Sequence, residues 1–176
     1  VSSVFKEIGK RFTFGGIPAS DQRVYFFNTK ELTGNKYGTP NAVPFRIVDQ
    51  RAGVDLDIGL RCFGEYSIRV EDPILFYTNV SGNVSDVYRI SQLEAQMRSE
   101  LLTALQPAFA KLSAKGVRSS ELVGHTNELA DALNEELSKK WTQLRGIRIV
   151  SFGISSLSVR PEDEQLIRDL QRNAAY

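Results

Sequence analysis

Val54-Asp55-Leu56-Asp57-Ile58-Gly59-Leu60-Arg61-Cys62-Phe63-Gly64-Glu65-Tyr66-Ser67-Ile68-Arg69-Val70 is the stretch that decides the fold. Apolar residues Val54, Leu56, Ile58, Leu60, Cys62, Tyr66, Ile68 and Val70 hold the even positions. Asp55, Asp57, Arg61, Glu65, Ser67 and Arg69 hold odd ones. Side chains alternate across a strand, so this is a long strand with one face packed and one face wet. At about 3.3 Å per residue it would reach roughly 56 Å, against roughly 40 Å across a domain of this length. It is therefore expected to bend or break, first at Gly64, which interrupts the apolar face, and second at Gly59.

Downstream, Asp72-Pro73 ends the strand and opens a short helix, with Asp72 as N-cap and Pro73 in the first turn. Ser91-Gln92-Leu93-Glu94 has the spacing of a capping box. The stripe Leu93, Met97, Leu101, Leu105, Ala108 and Leu112 then marks a helix that Pro107 should kink or end early. Thr126 is the expected cap of the next helix. Its stripe runs Leu129, Leu133, Leu137, Trp141, Leu144, with Gly146 at the C′ position. Ile147–Val159 reads as one last strand, with a bulge where the apolar parity shifts between Ile149 and Val150. Arg160-Pro161-Glu162-Asp163-Glu164 starts a final helix bearing Leu166, Ile167 and Leu170, its acids suiting the positive helix end. Polar and running to Tyr176, that helix is expected to continue as a longer helix or coiled coil.

Upstream, Val4, Phe5 and Ile8 have helical spacing before Gly9. Arg23–Asn28 is rich in β-formers and reads as a strand. Gly34-Asn35-Lys36-Tyr37-Gly38-Thr39-Pro40-Asn41 reads as a loop or hairpin connection. Val43–Val48 resumes as a strand, placed at an edge or a bulge by Pro44. Three parts result: 1–20 as a short helix and loop, 21–160 as the core, and 161–176 as the start of the final helix. The class is α+β.

The chain has 176 residues, 22 Lys plus Arg, 21 Asp plus Glu and a formal charge of +1. At roughly 150 residues per domain this is a single domain, able to form a core without metal or disulfide. The near-zero charge gives no field for nucleic acid, so no such partner is expected. A lone Cys62 and a lone His125 exclude disulfides and multi-cysteine or multi-histidine metal sites, and fit a reducing compartment. No run approaches the ~20 apolar residues of a membrane span, and no signal-peptide pattern is present. Val1 in place of an initiator Met suggests a piece of a longer protein.

Candidate chemistry is sparse. His125 with Ser119, Ser120 or Asp131 could serve nucleophilic catalysis, but no Gly-x-Ser-x-Gly elbow supports it. Asp55 and Asp57 share a strand face and could hold a hard cation, yet lack the glycine and distal glutamate of a calcium loop. Gly15, Gly16, Gly34 and Gly38 miss P-loop spacing and read as turn glycines. Arg23 beside Tyr25-Phe26-Phe27 could stack on single-stranded bases, although a half-buried strand explains them. No catalytic, cofactor-binding or metal residue is assigned.

The order of elements resembles the SPFH or Band 7 family, which includes stomatins, prohibitins and flotillins. The resemblance rests on the alternating strand closing in Glu65-Tyr66-Ser67-Ile68-Arg69-Val70-Glu71-Asp72-Pro73 and on the Leu93…Leu101-Leu102-x-x-Leu105 helix. It rests equally on Trp141 followed by Gly146-Ile147-x-Ile149, and on Pro161-Glu162-Asp163-Glu164. The segments 9–16, Tyr25-Phe26-Phe27-Asn28-Thr29-Lys30-Glu31 and Gly34–Pro40 look closer to a bacterial branch labelled virion core protein-like. The resemblance implies a twisted, mostly antiparallel sheet with helices on one face and a C-terminal helix leading out. It implies no cofactor, assembly with copies of itself, and scaffolding at the inner face of a bacterial membrane through segments upstream of Val1. In this branch it further implies a phage-shock type membrane-stress protein as partner. The competing expectation is a His/Asp-dependent hydrolase or metal enzyme using His125, Asp55 and Asp57, and a third is direct lipid contact through Phe12 and Phe14.

Overall fold

Strand β3 (Val54–Val70) runs unbroken through the middle of one five-stranded antiparallel sheet in the computed structural model, which describes residues 22–49 and 53–174. The helix expected over 1–8, and Phe12, Phe14, Gly15 and Gly16, lie outside the described residues. Strands β1 (Leu32–Gly38) and β2 (Val43–Asp49) lie end to end along one edge of β3. Strands β4 (Ile147–Phe152) and β5 (Ser156–Val159) lie end to end along the other. Ile68 pairs with both Leu32 and Ile149, and Leu60 with both Val43 and Val159, which fixes the two rows on opposite sides.

The expected break at Gly64 or Gly59 is absent, and it is the neighbouring rows that are interrupted. One row turns at 39–42 and the other at 153–155. Gly64 is where the second turn comes close: a Cβ there would sit 3.0 Å from the Gly153 carbonyl carbon and 3.1 Å from Ser155 N. Gly153 N and Ser155 N donate to the carbonyls of Glu65 (2.8 Å) and Phe63 (2.9 Å) beside it.

Three assignments need correction. Residues 23–28 form no strand, because their aromatic side chains pack instead on the segment after β3: Tyr25 on Tyr77, Phe27 edge-on to Phe76. The turn-like Gly34–Gly38 belongs to β1, with the register irregular between Leu32 and Asn35. Gly34 takes φ +79° at that irregularity, and buried Asn35 donates to Leu32 O (2.9 Å) and Tyr66 O (3.1 Å). The expected last strand, Ile147–Val159, is two strands. Its bulge falls where parity placed it, since Ser67 pairs with Ser151 and Ile68 with Ile149, leaving Val150 over. Asn134 completes the ladder there, its amide bridging Ile149 O (2.9 Å) and its carbonyl Ile149 N (2.8 Å). Pro44 sits on the edge strand β2, opposite Gly59.

Helix α1 (Pro73–Phe76) starts on Asp72, whose Oδ1 accepts from Ile74 N and Leu75 N, and passes into a π-helical turn, Tyr77–Ser81. Helix α2 (Ser91–Ala114) carries Pro107 without ending. Its expected capping box is absent: Gln92 Oε1 takes the Arg89 amide (2.8 Å), and Glu94 pairs with Arg98 (3.0 Å). Helix α3 (Thr126–Glu136) is entered through His125, not capped by Thr126, because a 3-10 segment, Ser119–Gly124, leads into it. Ser138–Arg145 then winds as a π-helix. Its i→i+5 bonds underwind the turn, so a residue three along falls farther from the packed face and one four along falls nearer. Trp141 stays buried, Leu144 is therefore 46% exposed against expectation, and Arg145 is buried in its place.

Helices α2 and α3 pack on the even face of β3 and its neighbours. Met97, Leu101, Leu105, Leu112, Leu129, Leu133 and Trp141 meet Ile58, Leu60, Tyr66 and Ile68 there. Each such side chain taken from water is worth about 1.5–3 kcal/mol. Gly146 joins the layers: at φ +68° its carbonyl accepts from Glu71 N (2.7 Å) and Asp72 N (3.0 Å), tying the end of β3 to the start of β4. Helix α4 (Pro161–Ala174) leads out from β5.

Candidate interaction surfaces

His125 ends the 3-10 segment, and its Nδ1 lies 2.9 Å from Glu128 Oε1, one turn along α3. Ser119 and Ser120 open that segment and Asp131 is exposed on α3. Asp55 is closed by a bidentate pair with Arg46 (Nε–Oδ1 2.8 Å, Nη2–Oδ2 2.6 Å), which holds its carboxyl below the ordinary aspartate value. Among the described residues no group of three or more His, Cys, Asp and Glu side chains could hold a metal ion. Burial pushes the Cys62 thiol up to about 11, so it stays protonated and a poor nucleophile at neutral pH. His125 and Asp55 are thus each engaged with a separate local partner, Glu128 and Arg46.

What the fold displays is surface. Among the described residues most of the odd face of β3 is left open: Asp55, Asp57, Arg61, Phe63, Glu65 and Arg69 are exposed along it, and Gly59 is buried against Arg160 at the start of α4. Phe63 is 56% exposed at its centre, with Val48 and Val150 exposed on the neighbouring strands. Ser67 is buried too, its hydroxyl bonded to Glu31 Oε1 (2.5 Å) and Ser151 Oγ (2.6 Å).

Helix α4 is pinned at the end of this sheet. Arg160 N donates to Gly59 O (3.2 Å), and Gly59 N donates to Asp163 Oδ2 (2.8 Å). Arg160 Nε reaches the same carboxylate oxygen at 2.8 Å. The Gly59 amide first, and Arg160 second, hold the Asp163 carboxyl below its ordinary value. The start of α4 therefore extends the β3 ladder past β5 and sets the direction in which the helix leaves.

The opposite end of the sheet carries a groove of about 220 Å³ between the 25–28 segment, α1 and residues 84–90. Tyr25, Phe27, Phe76 and Tyr88 wall it, and Asp86 lines it. Sequence reasoning passed over this site, since residues 77–90 have no periodicity. The aromatic run at 25–27 was the one available signal, and it was assigned to a strand. The buried pair Arg145–Glu100 (2.8 Å) was missed for the same reason that Leu144 was misplaced, the π-helical phase. Arg23, weighed for base stacking and set aside, precedes a segment whose rings Tyr25 and Phe27 are engaged with Tyr77 and Phe76.

Among the described residues no helix is long and apolar enough to cross a membrane. Comparison with protein-family models matches residues 10–175 to the SPFH domain-Band 7 family. Comparison with curated proteins finds no match.

Proposed function

The chain belongs to the SPFH domain-Band 7 family, whose members are non-enzymatic scaffolds that assemble with copies of themselves, and on that premise we propose that it self-associates through the open face of its sheet and docks partner proteins at a membrane surface. The observation that supports this reading is the face of β3 left largely open among the described residues, with Phe63 exposed at its centre. A bare sheet face bearing an exposed ring among mixed charges has the make-up of a polar-rimmed interface. Helix α4, anchored through Asp163, sets the exit direction from each copy.

The finer assignment is to the bacterial branch labelled virion core protein-like, on the strength of Tyr25–Glu31 and Gly34–Pro40. With it come the inner face of the bacterial membrane, an envelope-stress role and a phage-shock type membrane-stress protein as partner. The division into a core at 21–160 and an outgoing helix from 161 belongs to the same reading.

Phe63→Glu tests the proposal. The side chain is exposed, so folding is retained, while a charge at the centre of a self-contact lowers the assembly mass seen by light scattering. Unchanged mass across the dissociation range removes this face from the account. Membrane pelleting of the protein in cell fractions tests the second half, and a protein found wholly in the supernatant contradicts it.

A further inference from the structure

We propose that the aromatic groove at the 25–28 end of the sheet receives a basic side chain, arginine or lysine, from a partner polypeptide. Four rings, Tyr25, Phe27, Phe76 and Tyr88, wall the groove, and Asp86 is the one charged residue lining it among the described residues. Among the described residues no lysine or arginine lines it, and Asp86 has no ion-pair partner. Ring faces carry partial negative charge, so rings and carboxylate together favour a cation. The rings are already held by one another. Phe76 meets Phe27 edge-on at 6.4 Å and Tyr88 edge-on at 5.7 Å, and Tyr25 lies 5.0 Å from Tyr77. Binding therefore orders little that is not ordered beforehand.

Size and rim point to a side chain rather than a larger ligand. At about 220 Å³ the groove lies below the roughly 300–1,000 Å³ of sites that enclose whole small molecules. Phe26 is 94% exposed and Val87 59% exposed, and both line it. An apolar rim of this kind suits the apolar neighbours of a basic residue in a peptide, with the residue's own methylene stem crossing the rim. This inference rests on the scaffold reading, since it gives the chemistry of what the scaffold docks, but it uses a different surface from the one proposed for self-association.

The test is a titration of the ¹⁵N-labelled chain with the peptide acetyl-Leu-Arg-Leu-amide, with its norleucine counterpart and with phosphatidylcholine vesicles. Saturable shifts confined to residues 25–28, 76 and 84–90 are expected with the arginine peptide. Asp86→Asn, at an exposed position, is expected to weaken binding about fivefold or more while leaving the rest of the spectrum in place. Equal affinity for the norleucine peptide, no shifts at millimolar peptide, or shifts at these residues with vesicles alone would each overturn the proposal. Light scattering on Asp86→Asn separates the two ideas: assembly mass should be unchanged, and loss of assembly would place the self-contact here instead.

Discussion

Gly146→Ala probes the joint on which both layers depend. The residue sits at φ +68°, where a Cβ costs about 1–2 kcal/mol. That Cβ would also overlap the Asp72 carbonyl oxygen, with Asp72 Cβ at 2.9 Å and its carbonyl carbon at 3.1 Å. The backbone must part there, and the bonds from Glu71 N and Asp72 N to Gly146 O stretch or break, at about 0.5–1.5 kcal/mol each. The total is about 2–5 kcal/mol, a large share of the roughly 5–15 kcal/mol that holds a domain folded. At about 2–4 °C per kcal/mol for this size, Tm should fall by about 4–20 °C. Gly116→Ala is the internal control: φ is +86°, but nothing lies within 4 Å of its added Cβ, so only the about 1–2 kcal/mol backbone cost applies. Urea unfolding followed through Trp141, buried and the sole tryptophan, reads both variants. Equal losses for the two would refute the steric argument at Gly146.

Arg145→Met should cost about 3–5 kcal/mol by leaving Glu100 charged and buried, whereas the double variant with Glu100→Leu should recover most of it; thermal melts showing additive losses would contradict this. Leu133→Ala should cost about 2–5 kcal/mol and Leu144→Ala within about 0.5, and similar costs would restore Leu144 to the packed face. Asp163, with its carboxyl held low, stabilises the α4 anchor at any pH above its unfolded value near 4. That contribution is lost as pH falls through the depressed folded value. The Gly59 amide signal should accordingly titrate below about pH 4 in the parent and not in Asp163→Asn, and a midpoint above that would contradict the assignment.

Sequence pattern carried furthest where one residue faces one environment. The β3 alternation was readable because its even side chains meet α2 and α3 while most of its odd ones meet solvent. Asp72, Gly146 and the Val150 bulge were readable because each is a local backbone requirement with its own residue preference. β1 was not: Gly34 and Asn35 have turn propensities, and only pairing with β3 and burial of the Asn35 amide make them strand. The Tyr25–Phe27 run has strand propensity, yet two of its rings pack on aromatic residues on and just after α1 and the segment forms no strand. A π-helical segment has no sequence mark of its own, so Leu144 and Arg145 exchanged roles unseen. The groove lay beyond reach because it gathers residues from three stretches that sequence order keeps apart.

Light scattering over a dilution series of the unmodified protein, with Phe63→Glu alongside, tests the central claim most directly. The account predicts a mass that is a multiple of the single chain and falls on dilution, and that is reduced at every concentration by Phe63→Glu. A single-chain mass throughout, identical in the two proteins, would contradict it.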